Sequence, residues 1–122
     1  MTTSLLTDLY ELTMLEASLQ SGIASKQSSF EVFTRSLSVG RRYGVVAGIG
    51  RILDAISEFR FDSKDIEYLR STRHLNEETI EYLSGFHFTG DVWSYEEGDL
   101  YFPFSPIMRV EAPFGQAVLN VF

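Results

Sequence analysis

Apolar residues recur at helical spacing from the start of the chain: Leu5, Leu9, Leu12, Leu15 and Leu19, with Leu6 and Ala17 widening the stripe. Asp8, followed three residues on by Glu11, has the form of an N-cap with its capping partner. Gly22 fits the C-terminal end. The pattern predicts a helix from about Asp8 to Ser21. From Ser29 to Leu37 the period changes to two. Phe30, Val32 and Thr34 fall on one face and Glu31, Phe33 and Arg35 on the other, with aromatic and β-branched residues dense enough for a strand. Ser38-Val39-Gly40 turns the chain, and Tyr43 to Val46 reads as a short extended piece. Gly48-Ile49-Gly50 then leads into Ile52, Leu53, Ile56 and Phe59, a second helical stripe. These glycines do not make a dinucleotide fingerprint, because the third glycine of that motif falls on Leu53. They fit a tight strand-to-helix connection.

Two short helices come next. Asp62 or Ser63 caps the first, which carries Ile66 and Leu69. Asn76 caps the second, with Glu77 and Glu78 favourably placed in its first turn, Ile80 and Leu83 on its apolar side and Gly85 closing it. From Phe86 the pattern is β. Asp91 to Tyr95 predicts a strand, Glu96-Glu97-Gly98-Asp99 a hairpin turn and Leu100 to Phe102 its partner. Pro103 and Pro106 interrupt the ladder, and Ile107 to Ala112 predicts another strand. A last apolar helix begins near Gly115, and the chain stops inside it, without a Gly cap or a polar tail. The expected fold class is α+β: an N-terminal helix, mixed or antiparallel strands and short helices in one unit, 1–122, that is the N-terminal portion of something longer.

Composition narrows the chemistry. The chain has no Cys, which excludes thiolate metal sites, disulfides and a Cys nucleophile, and His74 and His87 are too isolated for a zinc motif. Seventeen acidic residues against 10 basic ones give a formal charge of -7, opposite to the basic surface of a nucleic-acid binder. No segment reaches the about 18 uninterrupted apolar residues of a membrane span. The opening lacks Lys and Arg and carries Asp8 and Glu11, unlike a signal peptide, so the expected compartment is the cytoplasm.

The charge is unevenly spread. Between Lys26 and Arg51 lie five basic residues (Lys26, Arg35, Arg41, Arg42, Arg51) and one acidic residue, Glu31. This is either a solvated surface or a local anion site, for which the Arg fork is suited. The first turn of the first helix is the other candidate. It joins Asp8, Tyr10 and Glu11 to unpaired backbone N–H groups that could receive an anion, while Tyr10 offers a flat face to an aromatic ring. The same residues also suit a plain capped helix with Tyr10 half-buried in packing.

Four stretches in order resemble one family: LLTDLYELTM at Leu5–Met14, FEVFTRSL at Phe30–Leu37, RRYGVVAGIGRILDAI at Arg41–Ile56 and FTGDVWSYEEGDLYFPFSPIMRVEAP at Phe88–Pro113. Together they are similar to the N-terminal portion of nicotinate phosphoribosyltransferases. The resemblance implies an α/β open sandwich of a type II phosphoribosyltransferase, with the barrel domain outside this chain. It implies a role in NAD salvage, joining nicotinate and phosphoribosyl pyrophosphate into nicotinate mononucleotide, with ATP and Mg²⁺ serving the whole enzyme. It also implies a homodimer in which Tyr10 stacks on the pyridine ring across the interface, Asp8 lines that site and Arg35 approaches the phosphates. No catalytic or metal-binding residue is expected within this stretch, and neither His74 nor His87 matches the family's phosphorylated histidine. By itself the piece is expected to be inactive. Two alternatives stand beside this reading: a catalytically silent binding or oligomerisation module derived from the enzyme, and a sister enzyme using nicotinamide, although ELTM after Tyr10 resembles the nicotinate side.

Overall fold

A computed structural model describes residues 3–120. A single 3₁₀ turn, Thr3–Leu6, precedes helix α1, Leu9–Gln20. Asp8 is the N-cap, and Ser21 and Gly22 close the other end, with Gly22 in the left-handed region at φ 73°. The chain continues through β1 (Gln27–Val32), β2 (Gly44–Val45), α2 (Ile49–Glu58), α3 (Ser63–Thr72) and α4 (Glu77–Ser84). It ends with β3 (Asp91–Ser94), β4 (Leu100–Tyr101), β5 (Met108–Pro113) and α5 (Phe114–Asn120). The α+β class is as expected, and α1, α3 and α4 lie where their caps and stripes put them. The expectation that the last helix is cut at Val121 and Phe122 falls outside the described residues.

Two small antiparallel sheets form. One has the order β1-β5-β3 and the other pairs β2 with β4. In the larger sheet, Phe30 lies opposite Val110 and Val32 opposite Met108, so the apolar positions of both strands share one face. That face packs with Val46, Ile49, Ala112 and Ala117 in a sheet-side core. A second core lies among the helices, where Leu12 and Leu15 of α1 meet Ile66 and Leu69 of α3, Ile80 and Leu83 of α4, and Val118 and Leu119 of α5. Phe59, Phe61 and Phe86 close its edge with ring centroids 5.5–6.4 Å apart, each pair edge-on. Helix α5 contributes to both cores, through Ala117 on the sheet side and Val118 and Leu119 on the helical side.

Three expectations are corrected. Strand β1 begins at Gln27 and ends at Val32, short of Leu37, because its partner strand ends at Met108 and Pro106 has no N–H to extend the ladder. Two isolated bonds continue it, from the Ile107 N–H to the Val32 carbonyl at 2.9 Å and from the Phe104 N–H to the Thr34 carbonyl at 2.8 Å. The predicted hairpin is also absent. The Glu96–Asp99 turn forms, with the Asp99 N–H donating to the Glu96 carbonyl at 3.1 Å, but β3 pairs with β5 and β4 with β2. The turn is tied elsewhere: the Gly98 N–H donates to the Val46 carbonyl and the Val46 N–H to the Asp99 carbonyl, both at 2.8 Å. Finally, the α2 stripe is only partly covered, since Ile56 is buried whereas Ile52 and Leu53 are half-exposed.

Gly44 shows why that position is glycine. A Cβ there would overlap the ring of Tyr101, its cross-strand neighbour.

Candidate functional site

The first turn of α1 is built around a buried carboxylate. Glu11 is 2% exposed, and its Oε2 accepts a hydrogen bond from the Asp8 backbone N–H at 3.0 Å. Burial is the main cause that lifts the Glu11 carboxyl above its ordinary range. The Asp8 N–H opposes that shift, and the Asp8 charge adds to it. The backbone entering the helix is held from behind by two further bonds. The Ser4 hydroxyl donates to the Arg60 carbonyl, and the Thr7 N–H to the Ser4 carbonyl at 3.4 Å. Ser4 is fully buried, so the 3₁₀ turn is anchored to the segment between α2 and α3.

On this base Asp8 and Tyr10 face outward. Asp8 is exposed and Tyr10 is 51% exposed, so half of the Tyr10 side chain meets solvent and half packs on the protein. Partial desolvation raises the Tyr10 hydroxyl, and the negative charges of Glu11 and Asp8 raise it further. The phenol therefore stays neutral near pH 7. Leu6 and Leu9 beside it are exposed too, so the turn presents an apolar surface around its polar groups. A cavity of about 260 Å³ opens alongside, lined by Leu5, Thr7, Leu9, Leu12, Tyr68 and His74 among others, and neither Asp8 nor Tyr10 is in its wall. The face that carries Asp8 and Tyr10 is thus a surface of the helix turn and not the interior of a pocket.

Arg35 lies beyond the end of β1, in the irregular segment that also carries Arg41 and Arg42; all three are exposed. The expected competitor, Glu31, sits opposite Arg109 in the β1–β5 register. Arg109 itself pairs with Glu111 at 3.2 Å and lies 5.0 Å from the centre of the Trp93 ring. Among the described residues Arg35 makes no ion pair with Glu31 or any other acid. The structure brings Asp8, Tyr10 and Glu11 together and keeps Arg35 on a different element.

Residues 5–120 match the family model of the nicotinate phosphoribosyltransferase (NAPRTase) N-terminal domain. The chain belongs to the nicotinate phosphoribosyltransferase family. A nicotinate phosphoribosyltransferase of Mycobacterium tuberculosis is 52% identical over 115 residues, which cover 94% of this chain and 25% of that protein. One from Bacillus subtilis is 42% identical over 116 residues, covering 95% of this chain and 24% of its own length. The crystal structure of human nicotinic acid phosphoribosyltransferase superposes with a TM-score of 0.83 at 28% identity, over 93% of this chain and 23% of that one. The chain therefore spans about a quarter of the length of these family members.

Sequence reasoning missed one residue that shapes this family domain. The Glu97 carboxylate accepts from the Gly48 N–H at 2.9 and 3.0 Å and from the Gly50 N–H at 3.3 Å, so it fills the N-terminus of α2 from 47 residues away. Gly48 sits at φ 98°, a conformation glycine adopts without strain. The Gly-x-Gly pair was legible as a strand-to-helix connection, but nothing local to it pointed to Glu97.

Proposed function

We propose that this chain is the N-terminal domain of an enzyme of NAD salvage that condenses nicotinate with phosphoribosyl pyrophosphate. In that reaction the pyridine nitrogen bonds to C1 of the ribose as the C1–oxygen bond to pyrophosphate breaks. The products are nicotinate mononucleotide and pyrophosphate, and ATP hydrolysis drives the step in the whole enzyme. The observation that carries the reading is the first turn of α1, where a half-exposed Tyr10 and an exposed Asp8 stand on a helix start held rigid by the buried Glu11.

Tyr10 stacks on the pyridine ring in the site of a neighbouring subunit, and Asp8 lines that site. Arg35 approaches the phosphates; it has no acidic partner among the described residues, which suits a guanidinium that takes phosphate oxygens. The working unit is a homodimer, and its compartment is the cytoplasm. Among the described residues no helix is long and apolar enough to cross a membrane.

Substitution in the whole enzyme tests the reading. Tyr10→Ala is expected to raise the nicotinate KM about tenfold, the size of one lost aromatic stack, with little change in melting temperature. Arg35→Ala is expected to weaken phosphoribosyl pyrophosphate more than nicotinate, and Glu31→Gln to affect neither. Unfolding of Tyr10→Ala would return Tyr10 to a packing role, and equal losses for both substrates in Arg35→Ala would reject the phosphate role.

A further inference from the structure

The Glu11 side chain points away from solvent, whereas Asp8 and Tyr10 beside it are exposed. A carboxylate that is 2% exposed is an unusual choice for a helix position that an apolar residue could fill. Its Oε2 accepts from the Asp8 backbone N–H at 3.0 Å. That bond fixes the residue at which the chain changes from extended backbone (φ -78°, ψ 149° at Asp8) to helix. Asp8 at this junction and Tyr10 in the helical turn after it carry the groups that meet substrate in the proposed function. We propose that Glu11 is a positioning residue for the nicotinate ring: it sets the entry angle of the Asp8–Tyr10 turn and so aims the Tyr10 ring. This inference rests on the reading of Tyr10 as the ring-stacking residue.

Geometry separates this role from simple helix stabilisation. Helix α1 is 12 residues long and is secured along its inner face by Leu12 and Leu15, both in the helical core. Its far end is closed by the Ser21 and Gly22 N–H groups, which donate to Ala17 and Leu19 carbonyls at 3.0 and 3.2 Å. Loss of the Glu11 bond therefore loosens the entry turn while the body of the helix stays packed. What changes is where Tyr10 points, and a displaced stacking ring weakens nicotinate binding without touching the phosphoribosyl donor.

The test uses the whole enzyme with Glu11→Ala, Glu11→Gln and Tyr10→Ala. Glu11→Ala is expected to raise the nicotinate KM about fivefold, the size of one lost hydrogen bond, with the phosphoribosyl pyrophosphate KM within about twofold of the native value. Glu11→Gln keeps an acceptor oxygen in the same place and is expected to restore the nicotinate KM to within about twofold. A Glu11→Ala enzyme that loses thermal stability but keeps its nicotinate KM, or that loses affinity for both substrates alike, overturns the proposal. If Glu11→Ala does not fold, Glu11→Gln decides through the carboxylate itself. A Gln variant that folds and keeps the native nicotinate KM supports an acceptor role, whereas one with a weakened KM for both substrates rejects it. Should Tyr10→Ala leave the nicotinate KM unchanged, the ring-site reading fails first and the positioning role falls with it. A raised KM in Tyr10→Ala beside an unchanged one in Glu11→Ala rejects the positioning role alone.

Discussion

In the helical half of this domain the helix starts are held by side chains three residues away: Glu11 on the Asp8 N–H, Asp62 on the Asp65 N–H and Asn76 on the Thr79 N–H. In the strand half the corresponding ties join segments far apart along the chain. Glu97 holds Gly48 from 49 residues away, and the Ser28 hydroxyl donates to the Ala112 carbonyl across 84. The cores differ in the same sense. Leu15, Ile80 and Leu83 are fully enclosed by other helices, whereas the sheet covers one face and leaves Trp93, Tyr95, Phe102 and Phe104 exposed. The helical half thus encloses its central leucines and isoleucine fully, while the strand half is assembled from distant pieces around a face that none of the described residues covers. The helical half has distant ties too: the Ser4 hydroxyl donates to the Arg60 carbonyl, and Glu16 on α1 accepts from the Asn76 N–H at 2.6 Å, so the start of α4 has a distant partner as well as a local one.

The contrast is broken or sharpened first by truncating each half. Leu83→Ala, at a 0% exposed position, is expected to cost about 2–5 kcal/mol, from lost transfer energy and the cavity left behind. Trp93→Ala, at a position 47% exposed, is expected to cost far less, because much of that ring is already in water. Thermal melts of the two variants make the comparison, and equal losses would mean that the outer sheet face is covered in solution.

A smaller effect separates local from distant caps. Glu97→Ala and Asn76→Ala each remove the acceptor at one helix start, and each is expected to cost about 1 kcal/mol. They should differ in reach. Asn76→Ala is expected to speed amide exchange in the first turn of α4. Glu97→Ala is expected to do so both at Gly48 and Gly50 and in the Glu96–Asp99 turn. Faster exchange confined to the glycines would show that the turn stands without that tie.

The smallest effect is a pH dependence. Burial raises the folded-state Glu11 carboxyl above its unfolded value. The folded state therefore holds this proton more tightly than the unfolded chain does. The stabilisation it provides is complete below the unfolded value and is lost as pH rises through the raised folded value. Glu11→Gln, which does not titrate, is expected to be at least as stable as the native protein at pH 7 and to lose ground to it as the solution is acidified. Melting temperatures from pH 7 down to 4 check this, and a native protein that loses more stability than the Gln variant on acidification would reverse the sign.

The site was legible to the extent that its parts are local. Asp8, Tyr10 and Glu11 stand within one helical turn, so the capping pattern that predicts the helix also places the three groups relative to one another. That Glu11 is buried and Tyr10 exposed was not legible, because it depends on which side of α1 meets Ile66, Leu69 and Leu83. Arg35 was legible as part of a basic stretch. Its position beyond the strand follows from where β5 and Pro106 end the ladder.

What the sequence determined by itself was each element whose stabilising partners lie within a few residues: α1, α3 and α4 with their caps, the Gly22 closure and the Gly48-x-Gly50 connection. Those interactions depend on spacing along the chain, and spacing is what a sequence displays. Only the tertiary structure decided that β3 and β4 enter different sheets, that β1 stops at Val32 and that Glu97 reaches the start of α2. Strand pairing and such long-range ties are choices among distant segments of similar local propensity. They are settled by which arrangement buries Phe30, Val32, Met108 and Val110 together on one face of the sheet.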